Sequence, residues 1–129
     1  MSHGASFDLL ESGAAGGTAG PTKQRYAYVL FRQCLAEFMG TFTLCSTVAL
    51  AAGQGRNLMA VAGLAIGIVL ATQVFAFGHV SGAHFNPAVT LAVLLRGKID
   101  AVSALFYTMT QLIASFSAGG AIKAIVNDA

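Results

Sequence analysis

The stretch GHVSGAHFNPAVTLAVLLR, residues 78–96, gathers the groups best suited to handle a small polar solute. Asn86 carries a carboxamide with two donors and an acceptor. It stands directly before Pro87. Asn is a strong N-cap, and Pro is favoured at the first helical position, where its missing N–H costs nothing. A helix is therefore predicted over residues 87–95, closed by Arg96-Gly97-Lys98. Nine residues rise roughly 13 Å, less than half of a ~30 Å hydrocarbon core, so this helix cannot span. The run before it, from His79 to Phe85, reads as non-helical backbone, and Gly78, Gly82 and Ala83 allow it to turn tightly. Irregular backbone at membrane depth is tolerated only where protein or a water-filled cavity satisfies it. The carbonyls of Gly82, Ala83, His84 and Phe85 would then form a ladder of acceptors for hydroxyl or water protons. Asn86 would offer donors at the deepest point. The positive end of the half-helix dipole there would repel cations, including a hydrated proton. An ordinary helix break in a transporter or an enzyme would carry the same pattern.

Two further polar side chains sit inside apolar segments. Glu37 is costly in lipid and is expected to face the protein interior. There it can accept hydrogen bonds from the dipping loop, or pair with a nearby cation or histidine. Gln111 follows the same logic with a neutral amide. His79 and His84 are five residues apart on the non-helical run, with no carboxylate or cysteine beside them, so they are read as loop-bracing or pore-lining rather than metal-ligating. Cys34 and Cys45 fall about 16 Å apart along one predicted helix, too far for a disulfide. No nucleophile elbow, HExxH or phosphate loop is present, so an enzyme reading finds no foothold, and no cofactor is implied.

The elements that must position these groups are apolar. The chain has 129 residues, 56% hydrophobic and 9% charged, against a usual charged fraction of about 25% in soluble domains. Its mean hydropathy is +0.72. No Asp, Glu, Lys or Arg occurs between Asn57 and Leu95. An all-α integral membrane protein is the expected class, with the lipid bilayer as its first partner. Three transmembrane helices are predicted over residues 28–52, 58–78 and 101–125, with a re-entrant loop and half-helix over 79–95. The Gly/Ala/Ser-rich residues 1–25 read as a disordered tail, leaving 26–129 as the membrane unit. The connection GQGRN makes the first two helices antiparallel neighbours. Gly63 and Gly67 form a GxxxG, and Ala36…Gly40 and Ala114…Ala118 are weaker small-residue pairs that permit close helix approach. Phe75 and Phe77 read as lipid-facing or core. If the dip returns to the side it left, Lys23, Arg25, Arg32, Arg96 and Lys98 share one side against Arg56 and Lys123, which predicts a cytoplasmic N-terminus. The scattered cations give no basic patch for nucleic acid.

With these residues in view, SGAHFNPAVT and its preceding GHV resemble the first Asn-Pro-Ala box of the major intrinsic proteins, the aquaporins and glycerol facilitators. AEFMGTF, holding Glu37, resembles that family's first-helix motif. Gly63 to Gly67 and Ala71-Thr72-Gln73 resemble its second helix, and Gln111 lies where its third carries a glutamine. The resemblance runs from about Arg32 to Ala124. It implies Asn86, Pro87 and Ala88 as the Asn-Pro-Ala motif and Asn86 as the central donor to solute. It implies that Gly82, Ala83, His84 and Phe85 line the pore wall with their backbone carbonyls, that Val89 is an apolar wall near the constriction, and that Glu37 and Gln111 brace the loop. Ile66 falls where the family places one member of its outer selectivity ring. An aliphatic residue there, in place of the aromatic of water-selective relatives, points to a wider or more apolar filter.

The family's fold is an inverted pair of repeats with six helices and two half-helices meeting at the midplane. These 129 residues match one repeat, without the second Asn-Pro-Ala box and the arginine of the cation barrier. Two functional classes are expected. One is a channel for water or small neutral solutes such as glycerol, formed with copies of itself or a complementary half. The other is a truncated, transport-inactive family member that acts only as an assembly partner.

Overall fold

The computed structural model describes residues 23–52 and 59–127, and these fold as four helices with no strand. The tail up to residue 22 and the GQGRN connection with Arg56 lie outside the described residues. Helix α1 is Lys23–Ala52, α2 is Met59–Ser81, α3 is Pro87–Leu95 and α4 is Ala101–Asn127. Three of them, α1, α2 and α4, are long and apolar enough to cross a membrane. The nine-residue α3 is not.

Helix α1 is the hub, packing against both α2 and α4, with α3 lying on α4. Small residues let the backbones approach. Ala36 and Gly40 are buried on α1, and Ala104, Ala114 and Ala118 on α4. Gly40 shows why size matters: a Cβ there would overlap the ring of Phe85 in the loop after α2. The GxxxG of Gly63 and Gly67 behaves differently. A Cβ at either position would meet nothing within 4 Å, so this pair packs on no described element. None of residues 61–78 is fully buried. Leu64, Ile68 and Phe75 stand outward, Phe75 at 92% exposure. Lipid is as apolar as these side chains, so an apolar exterior costs nothing in a bilayer. Phe77, by contrast, meets the Phe85 ring edge-on with centroids 6.4 Å apart.

Several expected boundaries move. Helix α1 begins at Lys23, so the helix takes in residues 23–25 of the predicted tail and the cation–aromatic run Lys23–Tyr28. Helix α2 runs to Ser81, three residues beyond its expected end at 78. Gly78 stays helical; the break comes at Gly82, whose φ is +89° and whose N–H closes the last turn on the Gly78 carbonyl at 3.1 Å. A residue past a helix C-terminus often needs the left-handed region that glycine enters freely. The two glycines look alike in sequence, and only the second is used this way.

The chain's path is re-entrant. Tyr26, near the start of α1, places its hydroxyl 3.0 Å from Ser103 Oγ and donates to Asp100 at 3.4 Å, just before α4 begins. The end of α2 lies beside the start of α1, where His79 and Val80 share a cleft with Val29, Arg32 and Gln33. So the segment between α2 and α4 leaves and returns at one edge of the bundle. It turns back through α3, whose C-terminus has both bonds of a Schellman closure: Gly97 N–H to Leu94 O at 2.9 Å and Lys98 N–H to Val93 O at 3.1 Å. Gly97 takes the left-handed φ of +64° that this closure requires.

Candidate functional site

Glu37 is fully buried, and its carboxylate collects four donors. Oε1 accepts from Ser81 Oγ at 2.6 Å and the His84 N–H at 3.0 Å. Oε2 accepts from the Phe85 N–H at 2.6 Å and Gln111 Nε2 at 2.9 Å. The donors come from α4 and from the end of α2 with its loop, so one side chain of α1 ties the other segments to the dip. A buried carboxylate is tolerated only when it is paired or hydrogen-bonded in this way.

The loop that Glu37 holds is conformationally demanding. Ala83 has φ +53° and Phe85 φ +49°, both left-handed without being glycine. Each such residue costs roughly 1–2 kcal/mol for an L side chain. The geometry is over-determined by its bonds: Ala83 N–H donates to Ser81 Oγ at 3.1 Å, and the next two N–H groups donate to Glu37. Tyr107 on α4 donates its hydroxyl to the Ser81 carbonyl at 2.9 Å. The loop's N–H groups are thus drawn into the bundle. Among the described residues, the carbonyls of Gly82, Ala83 and Phe85 accept no hydrogen bond.

Asn86 then caps α3. Its backbone is extended, with φ −153° and ψ 130°, and its Oδ1 accepts from the Ala88 N–H at 2.8 Å. The oxygen is occupied by the cap, the side-chain NH₂ donates to no described residue, and Asn86 is exposed. Pro87 follows at the first helical position. Val89 is 42% exposed on α3, next to the cap.

Thr90 links the half-helix to the rest and was not singled out from the sequence. It is buried, and its Oγ1 accepts from Gln111 Nε2 at 3.0 Å. Its own proton can go to the Asn86 carbonyl at 3.2 Å or to Gln111 Oε1 at 3.3 Å. His84 Nδ1 lies 3.2 Å away, and the His84 ring meets Tyr107 edge-on at 5.3 Å. Glu37, Ser81, His84, Thr90, Tyr107 and Gln111 therefore form one connected polar network around the dip. Ser81, Thr90 and Tyr107 were missed, although signals existed. Thr90 is the one polar residue of PAVTLAVLL. Ser103, Tyr107, Gln111 and Ser115 recur every fourth residue of α4, a polar stripe along one face.

The structure separates two of the predicted residues from this network. His79 is not in the loop. It lies in the last turn of α2, exposed, beside Arg32 and Gln33. The physical reason is the helix break at Gly82, which carries residues 79–81 into α2 and leaves only 82–86 as non-helical backbone. Ile66 is half-buried in the middle of α2 and makes no part of the Glu37 network.

Comparison with known proteins now bears on this geometry. Residues 24–129 match the major intrinsic protein family. The chain belongs to that family. Among curated relatives, it is 43% identical to a glycerol uptake facilitator protein-like protein of Lactiplantibacillus plantarum over 100 residues, covering 74% of this chain and 44% of the relative. It is 43% identical over 101 residues to the lens fiber major intrinsic protein of Lithobates pipiens, covering 74% and 37%. It is 34% identical over 111 residues to human aquaporin-10, covering 81% and 37%. The chain spans less than half the length of these major intrinsic protein relatives. Its all-helical form, with three spanning helices and a short fourth, is that of half an aquaporin-like bundle, and it is an integral membrane protein.

Proposed function

We propose that this chain supplies one half of a passive channel for water or small neutral solutes such as glycerol. The observation that carries the reading is the division of the loop's backbone. The N–H groups of Ala83, His84 and Phe85 are consumed by Ser81 and Glu37, while the carbonyls of Gly82, Ala83 and Phe85 have no bond to a described residue and lead to the exposed Asn86. A row of acceptors ending in a donor suits a molecule that both donates and accepts, and gives a bare cation too little to replace its hydration. The positive end of α3 beneath Asn86 works against cations as well. In this reading Gly82, Ala83, His84, Phe85, Asn86 and Val89 form the wall, Ile66 contributes to an outer filter, and Glu37 and Gln111 keep the loop in shape. His79 lies in the last turn of α2, outside this network. The names of the relatives, a glycerol facilitator and an aquaporin, agree with this solute class.

The wall is one-sided. Asn86 at the cap and Val89, Leu91 and Leu95 on α3 are exposed. A closed pore needs an opposing surface, from a complementary half or from other copies. The exposure of that face also favours the second reading, in which the chain conducts nothing by itself and serves only in assembly with other family members. Light-scattering of proteoliposomes in an osmotic step separates the two. Faster volume change with the chain than in protein-free vesicles, reduced in Asn86→Ala at equal protein, supports the channel. A protein-free rate for the chain, alone and mixed with a complementary half, overturns it.

A further inference from the structure

Away from the dip, α1 and α2 enclose a cleft of about 140 Å³ between Val29, Arg32, Gln33, His79 and Val80. None of its lining groups belongs to the Glu37 network. Its polar lining residues are Arg32, Gln33 and His79, whose side chains can all donate, and no acidic residue lines it. Arg32 is exposed, and its guanidinium sits over the Tyr28 ring at 5.8 Å, which fixes its position without neutralising it. Its charge is paired with no carboxylate among the described residues.

The depth of the cleft is set by the helices. From Arg32 to the end of α1 at Ala52, and from the start of α2 at Met59 to His79, the rise is roughly 30 Å, one hydrocarbon thickness. Both residues therefore stand where the apolar core gives way to headgroups. The two valines continue the apolar surface of the bundle into the cleft, offering a wall to a glycerol backbone or the start of an acyl chain. A free oxyanion would gain nothing from them. Arg is the side chain best matched to phosphate oxygens, through paired N–H donors.

We propose that this cleft binds the phosphate of an anionic phospholipid headgroup, held by Arg32 and His79 with Gln33 as a further donor. The full chain, purified in detergent and mixed with phosphatidylglycerol or phosphatidylcholine, tests it by native mass spectrometry of retained lipid. Wild type should keep phosphatidylglycerol several-fold over phosphatidylcholine. Arg32→Gln should abolish that preference and His79→Gln should lower it. Arg96→Gln, a cation at the same edge outside the cleft, should leave it unchanged. Should Arg32→Gln fail to yield folded protein, His79→Gln carries the test alone. Wild-type preference in both cleft variants, or an equal loss in Arg96→Gln, overturns the site in favour of general surface charge. Displacement of the lipid by inorganic phosphate at matched concentration overturns the lipid assignment in favour of a free anion.

Discussion

At the scale of single residues, the carboxylate of Glu37 decides the shape of the dip. Both oxygens accept, and each of their four partners points a donor at them. Glu37→Gln keeps the volume but turns an NH₂ toward two of those donors. The expected loss is about 2 kcal/mol or more, since each unpaired buried donor costs ~1–3 kcal/mol. A lower thermal midpoint in detergent checks this; an unchanged midpoint would contradict the geometry. Gly40→Ala acts on the same loop from the other side. Phe85 cannot retreat from a new methyl group without loosening its N–H from Glu37, so overpacking should cost about 1–3 kcal/mol. Glu37 and Gln111 could be read from the sequence because a polar group in an apolar helix must have a reason. Gly40 was legible only as half of a small-residue pair; its partner Phe85 was not, because it lies 45 residues away on a loop whose left-handed backbone leaves no local mark.

At the scale of elements, the half-helix is legible at both ends. Asn86-Pro87 starts it and Gly97 ends it, each by local chemistry that tertiary packing need not supply. The end of α2 was less legible, since Gly78 and Gly82 offer two stops and the choice rests on which carbonyl the next N–H reaches. The start of α4 at Ala101 falls where the sequence predicts it, but its cap was not read. Asp100 caps it, its Oδ1 accepting from the Ser103 N–H at 2.9 Å, and Tyr26 bonds back to the same group. Partial burial pushes the Asp100 carboxyl upward, but hydrogen bonds from the Ser103 hydroxyl and the backbone N–H groups outweigh it and hold the group below its ordinary value. A lowered pKa means the folded state favours the carboxylate. That stability is present above the ordinary value of about 4 and is lost as pH falls below it through the lowered one. Asp100→Ala should cost about 0.5–2 kcal/mol at neutral pH, whereas Asp100→Asn keeps the cap and removes this acid-sensitive part. Unfolding followed across an acid series distinguishes the two variants.

At the scale of the whole molecule, cations gather at one edge. Lys23, Arg25 and Arg32 on α1 share it with Arg96 and Lys98 beyond α3, because the Tyr26–Asp100 contact brings those segments together. Lys123 lies toward the other end of α4. A cation bias of this kind predicts a cytoplasmic N-terminal edge. Lys98→Cys, with Cys34 and Cys45 replaced by alanine, should then be shielded from a membrane-impermeant thiol reagent applied outside intact cells, and labelling there would reverse the assignment. Class and helix count were readable from composition because a bilayer leaves few alternatives. The open face of α2 was not: its GxxxG suggested a packed seam that the described helices do not form.

The bonds to Glu37 also impose an order on biosynthesis. A chain made from its N-terminus delivers this carboxyl group 44 residues before Ser81 and 74 before Gln111. The first helix therefore reaches the bilayer carrying an acidic group whose partners have not yet been translated, at a cost that only later segments offset. Helix α1 has its hydrogen bonds complete only once α4 has been made, so the full set of contacts that hold the dip forms last.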